Sequence, residues 1–492
     1  MTSSEPLNES QQNGGKVTGN LVLAASMAVI GSNFQFGYNT GVINAPQQVI
    51  EKFYNETYES RYGSFIPLTT LDLLWGFTVA VFAVGGMVGS LCASWAAGKF
   101  GLKRSMLYNN ILAVCAALLM GLSKLAGSFE MLIIGRFIIG VNSGINMGVA
   151  PMYLTETAPV SKRGVFGTLG QLGVVSSLLI SQVLGLQWVL GTDALWPLLL
   201  ALTAAFSVFQ VLIIPFCPDS PRYTLLVTKD EDKARQDLQW LREKDYDVTE
   251  EIEQMKEEHK DDDVAKTSFR ELITNPSLYR PLIIAIVMQL SQQLSGINAV
   301  FYYSTDIFLE AGIPPLYTGV ATVGMGVVNV IMTLVSISLI ERAGRRVLHL
   351  VGLGGMCASA AVLAVLLNLQ RTSAVSWLTL AFILIFVVFF QTGPGAIPWF
   401  ITAELFDQAS RPTAVSIAGL FNWLGNFAVG LAYPPIASAI GGYTFVIFAV
   451  FLAFFWIFTF FKVPETKGRS IAEITALFSG EPAMHYTKST ML

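Results

Sequence analysis

Long apolar stretches separated by short polar loops dominate the chain. Because a helix needs roughly 20 apolar residues to cross a bilayer, these stretches are candidate membrane spans. Twelve candidates are found, at 20–43, 73–97, 105–125, 130–153, 164–187, 194–217, 281–304, 316–340, 347–369, 376–402, 413–437 and 441–462. The pattern predicts an all-α membrane protein with six spans on each side of one polar segment.

Composition agrees with this pattern. The 492 residues are 53% hydrophobic and only 13% charged, and the mean hydropathy is +0.56. Soluble chains carry about 25% charged residues. Of the 64 charged residues, 25 lie in the 43 positions from Lys229 to Glu271. The charge is therefore concentrated in one insert, and soluble enzyme folds are excluded.

The same pattern divides the chain into five parts. They are an N-terminal tail (1–19), a six-helix half (20–217), a linker (218–280), a second six-helix half (281–463) and a C-terminal tail (464–492). Within the linker, apolar residues recur at helical spacing and predict short amphipathic helices. They are Ala234, Leu238, Leu241, Val248, Ile252 and Met255.

Three motifs occur in both halves, in the same order. Gly101, Glu156 and Pro218 belong to motifs whose counterparts contain Gly344, Glu404 and Pro464, at offsets of 243, 248 and 246 residues. Two halves that run in the same direction are typical of transporters built from parallel repeats. Such halves can rock about a central site.

Basic residues predict the orientation. Twelve Lys and Arg residues lie in loops on one side of the predicted bundle, and four lie in the short loops on the other. The basic side faces the cytoplasm in most membrane proteins, so both termini and the insert are expected there. Asn55-Glu56-Thr57 is a glycosylation sequon in the longest loop of the opposite side, and we expect Asn55 to carry a glycan.

The spans are poor in ionisable residues and rich in amides. Arg136 lies near the end of span 4, and no charged residue occupies the middle of any predicted span. A buried charge is expensive in a membrane, so charged residues inside spans are kept mainly where they have a role. A transporter of a charged cargo would be expected to carry an opposite charge within its spans, and its absence here predicts a neutral cargo. The uncharged candidates for a binding site are Gln171, Gln289, Gln292, Gln293, Asn298, Asn329, Gln391, Asn422 and Asn426, with Trp399 and Trp423 as flat apolar surfaces.

These amides have two interpretations. A carboxamide donates and accepts hydrogen bonds, as a hydroxyl-rich neutral solute requires. The alternative is that amides hold helices together in the bilayer. Gly393, Pro394, Gly395 and Pro398 interrupt span 10 and predict either a hinge that lines a cavity or a static kink.

The motifs resemble those of the facilitative glucose transporters, in the sugar-porter branch of the major facilitator superfamily, and are closest to the glucose-preferring class I members. The resemblance is carried, between about Asn20 and Ser470, by Phe36–Gly41, Gly135-Arg136, Pro218–Arg222, Gln292–Asn298, Gly393–Trp399 and Pro464–Ser470. It implies the major facilitator fold and uniport of glucose and related hexoses.

The resemblance also implies residue roles. Gln171, Gln292, Gln293, Asn298, Asn329, Trp399 and Asn426 match sugar-contacting positions, and Gln289-Leu290-Ser291 is similar to the triplet of glucose-preferring members. A latch of charged residues on the cytoplasmic side would include Lys103, Arg104, Glu156, Arg163, Arg345, Arg346, Glu404 and Arg411. Gln391, Gly170 and Leu102 depart from the family pattern.

Rival functions are weighed on single residues. Proton-coupled relatives typically carry Asp where this chain has Asn39, and a non-transporting sugar sensor would share most of the motifs. No phosphate-binding loop, metal cluster or catalytic histidine arrangement is found, because His259, His349 and His485 stand in separate polar segments. We expect a plasma-membrane protein that is not an enzyme, with no cofactor, no nucleic-acid partner and a C-terminal Thr490–Leu492 that fits a PDZ domain.

Overall fold

The computed structural model describes residues 16–159, 162–244, 246–262, 269–370, 372–406 and 410–467, with 469, 473, 474, 477 and 478. Every regular element within these residues is helical, which confirms the all-α expectation. The C-terminal tripeptide proposed as a PDZ ligand lies outside the described residues, and its role stays a prediction.

Seven of the first eight helices form the first half of the bundle. They are α1 (Gly19–Gly41, with a π-helical turn at Val29–Asn33), α2 (Gln47–Tyr62), α3 (Leu68–Phe100), α4 (Leu102–Leu122), α5 (Phe129–Thr157), α6 (Arg163–Leu184), α7 (Trp196–Ala201) and α8 (Thr203–Ile213). The exception is α2, which lies outside the candidate spans, in the segment that the sequence treats as a loop. The pair α7 and α8 makes one crossing, continued by the 3₁₀ turn Ile214–Phe216.

Four short helices and a second set of spans follow. The insert contains α9 (Pro221–Leu226), α10 (Glu231–Leu241), α11 (Thr249–Asp262) and α12 (Phe269–Thr274). The second half contains α13 (Pro276–Gln293), α14 (Ile297–Glu310), α15 (Pro315–Ala343), α16 (Arg345–Leu366), α17 (Ser373–Thr392), α18 (Ile397–Glu404), α19 (Arg411–Ile440) and α20 (Thr444–Lys462). We call the end of the bundle that carries the insert the insert face, and the opposite end the distal face.

The described helices make twelve crossings. Eleven continuous stretches are long and apolar enough to span a membrane, and the last of them has 52 residues, from Arg411 to Lys462. That stretch turns back at Gly441–Tyr443, so it crosses twice, as α19 and α20. Gly441 has φ +54°, a left-handed conformation that glycine adopts without strain. The expected six spans per half are confirmed.

The internal repeat is reproduced at the level of single hydrogen bonds. Ser220 donates through its hydroxyl to Glu156 in the first half, and Thr466 donates likewise to Glu404 in the second. The tight turns that precede α4 and α16 both use a glycine with positive φ, Gly101 at +81° and Gly344 at +91°. The matched loops therefore share their backbone geometry as well as their residue types.

A carboxylate caps the helix that follows each of these glycines. Asp219 accepts from the Lys103 amide at 3.5 Å, and Glu465 accepts from the amides of Arg345 and Arg346 at 2.9 and 3.0 Å. Burial acts to raise the pKa of Glu465, but hydrogen bonds from four backbone amides outweigh it and lower that pKa below its ordinary value. A negative group at a helix N-terminus is also favoured by the helix dipole.

Close packing inside the first half depends on glycine. The helices α3 and α5 meet so closely that a Cβ added to Gly85 would lie 2.1 Å from the Phe137 carbonyl oxygen. A Cβ added to Gly140 would lie 2.1 Å from the carbonyl oxygen of Phe82. Small residues at such crossings are typical of membrane helices, because association there depends on van der Waals contact.

Two helix pairs join the halves. The helix α3 packs along α19, and α6 packs along α15, so each half contributes one helix to each seam. The end of α1 also contacts α14.

The insert is attached to both halves: Leu241 of α10 packs on the first, and Leu272 of α12 is buried among apolar residues of the second. The Arg242 guanidinium forms a buried, two-point ion pair with Glu251, whose nearest N–O distances are 2.9 and 3.1 Å, and also donates to the Thr157 carbonyl at 3.0 Å. Thr18, at the start of α1, donates to the Leu241 carbonyl at 2.9 Å. The predicted apolar positions are buried: Ala234, Leu238, Val248, Ile252 and Met255 form a small core with Leu225, and Leu241 packs on the first half.

Candidate functional site

A connected cluster of amide side chains lies inside the second half, where α13, α14 and α19 meet. Asn422 donates to Gln289 and to Gln292, at 2.7 Å in both cases. Gln293 donates to Gln292 at 3.1 Å and to Asn422 at 3.0 Å, and it accepts from Asn298. All five side chains are buried. We call these five residues the amide cluster.

Breaks in two spans bring the cluster together. The helix α13 ends at Gln293, and Gly296, with φ +94°, turns the chain into α14. This turn returns Asn298 to the side chain of Gln293. The second break, between α17 and α18, leaves carbonyl groups without helical partners. The side-chain nitrogen of Gln292 satisfies two of them, donating to the carbonyl oxygens of Pro394 at 2.9 Å and Gly395 at 2.7 Å.

Most of the cluster's hydrogen-bonding capacity is used within the protein. A carboxamide has two N–H donors and a carbonyl oxygen that accepts two hydrogen bonds. Gln292 uses all of these on Pro394, Gly395, Gln293 and Asn422. In this conformation Gln292 therefore shapes the site and has no free group for a ligand. The helix-attachment interpretation is supported for Gln292, and binding of a solute by these amides stays a prediction.

Other predicted site residues keep free groups. Among the described residues, no hydrogen-bond partner is found for the amide of half-buried Gln171, the carbonyl of Asn298 or the amide nitrogens of Asn329 and Asn426. Asn329 accepts from Gln391, and Asn426 accepts from the Tyr302 hydroxyl at 3.0 Å. These free groups come from both halves, and they retain hydrogen-bonding capacity that the protein does not use.

The two candidate tryptophans have different surroundings. Trp399, half-buried on α18, packs next to Gly419 of α19. Trp423 is buried against the first half, where its ring packs on Phe36 and Phe82 and its Nε1 donates to Ser90 at 2.8 Å. In this conformation Trp423 is an interface residue between α19 and α3, and Trp399 retains an accessible surface.

Arg136 is a fully buried cation without an acidic partner among the described residues. Its Nη1 donates to the backbone carbonyl of Asn39 at 2.8 Å, and its guanidinium lies 4.7 Å from the centroid of the Phe82 ring. The Asn39 side chain, neutral where proton-coupled relatives have Asp, donates instead to Thr203 at 2.8 Å. No carboxylate takes part in this arrangement.

The predicted latch residues lie at the insert face, and their described contacts stay within one half. Arg345 pairs with Glu404 at 3.0 Å, and Arg411 donates to the Phe406 carbonyl at 3.0 and 3.2 Å. Arg346 donates to Phe460, and Lys103 to the Cys217 carbonyl at 2.6 Å. Arg104 is exposed and Arg163 half-buried. A latch between the halves therefore stays a prediction for another conformation.

Side-chain hydrogen bonds between the halves lie elsewhere. Apart from Trp423 with Ser90, those of the described residues lie toward the distal face. There Asn44 donates to the Phe301 carbonyl at 3.0 Å and the Ser304 hydroxyl at 2.6 Å, and Ser438 donates to Asp72 at 2.7 Å. The sequence did not indicate these residues. The feature of the sequence that could have identified them is an acid or an amide at the end of an apolar span.

Two further placements differ from the sequence-based picture. His349 does not stand in a polar segment: it is fully buried in α16, 3.1 Å from the Ser291 hydroxyl, because Ser291 supplies a polar partner on the facing helix. Asn55 lies on α2 and not on an extended loop; it is half-buried and lines a surface groove with Glu51, Lys52 and Glu56. Glycosylation of Asn55 stays a prediction.

Comparison with known proteins gives concordant results. The family described as "Sugar (and other) transporter" matches residues 24–478. Solute carrier family 2, facilitated glucose transporter member 3 of Mus musculus is 50% identical over 469 residues, covering 95% of this chain and 94% of that protein. Member 4 of Homo sapiens is 51% identical over 480 residues (95% and 92%), and member 1 of Gallus gallus is 51% identical over 470 residues (95% and 95%).

Solved structures share the fold. The inward-open xylose transporter XylE from E. coli superimposes with a TM-score of 0.77 at 22% identity, covering 93% of this chain and 100% of that chain. The proton:xylose symporter XylE of the major facilitator superfamily, bound to 6-bromo-6-deoxy-D-glucose, gives a TM-score of 0.76 at 23% identity, covering 93% and 99%. The major facilitator fold expected from the sequence is confirmed.

Proposed function

Because the chain belongs to the sugar (and other) transporter family, we propose that it carries glucose and related hexoses down their concentration gradient across the plasma membrane, without a coupled ion. The observation that supports this most directly is the chemistry of the amide cluster. Its members and the neighbouring free groups are carboxamides, hydroxyls and aromatic rings, and none is a carboxylate or a cation. Such groups suit a neutral polyol.

Alternating access supplies the movement. Hydrogen bonds join the halves at the distal face, whereas the described contacts of the charged residues at the insert face stay within one half. This is the pattern of a transporter open toward the insert face. We place the insert and both termini in the cytoplasm, because the basic loops lie on that side. The reverse conformation would require the distal contacts to break and contacts at the insert face to form.

Uptake into liposomes tests the proposal. Protein reconstituted in proteoliposomes should take up labelled glucose until the internal and external concentrations are equal, and preloaded glucose should accelerate this uptake by counterflow. An inward proton gradient should not raise the final level. Accumulation above equilibrium that an uncoupler abolishes would support symport, and saturable binding without counterflow would support a sensor.

Symport is the second candidate, because the solved structures that share the fold include a proton symporter. Their identity to this chain is below 25%, so the likeness concerns the fold alone. The residue contacts favour uniport: Arg136 donates to the backbone of Asn39, and the Asn39 side chain has no ionisable group. A proton-coupled transporter would need a group that titrates at the position of Asn39.

A further inference from the structure

A single amide joins two carboxylates across the distal face. The Gln47 side-chain nitrogen donates to Glu51 at 2.8 Å on its own helix, α2, and to Asp306 on α14 of the other half. Because both carboxylate oxygens accept from one nitrogen, they lie about 5 Å apart. Gln47 is only 5% exposed. The amide therefore connects the halves through two acidic groups that would otherwise repel each other.

This arrangement has too few donors. The carbonyl oxygen of Gln47 is buried and has no partner among the described residues. The three residues Gln47, Glu51 and Asp306 thus present three acceptor groups to one another and a single NH₂ as donor. A proton on either carboxyl would supply the missing O–H donor and remove one negative charge. Protonation should therefore tighten the contact.

The surrounding negative charges also favour protonation of these carboxyls. Asp72 of α3 faces both carboxyls and accepts from Ser438 of α19, and Glu310 of α14 acts on Asp306. Of the described basic residues of this face, Lys52 pairs with Glu56, Arg61 with Glu130 and Lys124 with Asp193. Within the described residues, no ion pair is found for Glu51, Asp72 or Asp306.

We propose that Glu51, Gln47 and Asp306 form a proton-sensitive clasp that closes the distal face more firmly as the pH falls. The clasp regulates the rate of transport and moves no net proton with the sugar. It lies away from the amide cluster, since Asp306 is eight positions beyond Asn298 and so about 12 Å further along α14.

The titration range follows from Glu51. Burial raises the pKa of Glu51 to about 7; its hydrogen bond from Gln47 opposes this rise, and the negative charges of Asp306 and Asp72 add to it. When the distal face opens, Asp306 should move away and the half-buried Glu51 carboxyl should become more exposed to water, so its pKa should return toward the ordinary value of about 4.3. The closed form then binds more protons between these values, so lowering the pH through this window favours closure.

Initial rates test the clasp. Because the inference rests on alternating access, labelled-glucose uptake is measured at equal internal and external pH, from 5.5 to 7.5. We expect the initial uptake rate of the unmodified protein to be at least threefold lower at pH 5.5 than at pH 7.5. The variants Asp306→Asn and Glu51→Gln should abolish most of this pH dependence. Glu59→Gln, an exposed acid on the same helix, should retain it. An Asp306→Asn profile equal to that of the unmodified protein would overturn the clasp.

A distance measurement separates the clasp from the transport function. Spin labels at Lys52→Cys and Leu316→Cys, in a background whose four cysteines are replaced by alanine, report the separation of the halves at the distal face. The short-distance population should grow as the pH falls, and this growth should vanish in Asp306→Asn. A pH-independent distance contradicts the clasp even if uptake is normal. Absence of uptake at every pH, with the distance change intact, contradicts only the proposed function.

Discussion

Gln292 donates a hydrogen bond of 2.7 Å to the carbonyl oxygen of Gly395, and so joins α13 to the break between α17 and α18. The same nitrogen donates to the Pro394 carbonyl at 2.9 Å. The irregular backbone of the tenth span is thus satisfied by a side chain from the seventh span. Such a break is stable in a membrane only when its polar groups find partners in the protein or in water.

The first prediction concerns this contact. Gln292→Ala should lower the free energy of unfolding by about 1–3 kcal/mol, since two buried carbonyls lose their donor. It should also reduce glucose uptake at least tenfold, because the amide cluster loses its central member. Thermal unfolding in detergent and initial uptake rates measure the two effects.

Gln171 provides the matched control. Its amide has no partner among the described residues, so Gln171→Ala should leave the unfolding temperature unchanged while still lowering uptake. Normal uptake by Gln171→Ala would show that the ligand does not reach the first half at this position. A large loss of stability would show an interaction that the structure does not contain.

The second prediction concerns Arg345 and Glu404. Both side chains are partly exposed, so the pair should contribute less than about 1 kcal/mol to stability. If the residues also form the latch of another conformation, Glu404→Gln should lower the uptake rate several-fold with little change in unfolding. Glu130→Gln, which removes the Arg61 pair at the distal face, is the comparison. Equal uptake by the two variants would argue against the latch.

The third prediction concerns the α3–α5 crossing. Gly140→Ala places a methyl group against the Phe82 carbonyl, which belongs to the backbone and cannot turn away, so overpacking should cost about 1–3 kcal/mol. Gly324→Ala is the control, because a Cβ there meets nothing within 4 Å. The two unfolding temperatures decide the matter, and indistinguishable values would refute the close approach.

The fourth prediction concerns the insert. Arg242→Ala leaves Glu251 as a buried, unpaired carboxylate and removes the contact with Thr157, so the insert should lose about 3–5 kcal/mol of local stability. Hydrogen exchange over α10 and α11 measures this loss. Arg235→Ala removes an exposed pair with Glu231 and should change protection by about 0–0.5 kcal/mol. Comparable effects of the two variants would contradict the buried pairing.

The residue types of the candidate site could be predicted from the sequence, but its hydrogen-bond partners could not. Amides on several spans and the scarcity of charge within those spans already indicated a neutral, hydroxyl-rich ligand. That Gln292 uses its whole hydrogen-bonding capacity inside the protein was not predictable, because it depends on the break near Pro394, over a hundred positions away in the chain. The position of Trp423 against Ser90, 333 residues apart, was equally hidden.

By itself the sequence determined the twelve crossings, the twofold repeat, the polar insert and the uncharged character of the candidate site. Each depends on hydropathy, spacing or residue type, which can be read locally along the chain. The tertiary structure alone decided which amides bond to each other, which face joins the halves, and that Gln47 and Asp306 meet. Helical periodicity says which residues share a face, but the rotation and packing of each helix against its neighbours decide which faces meet.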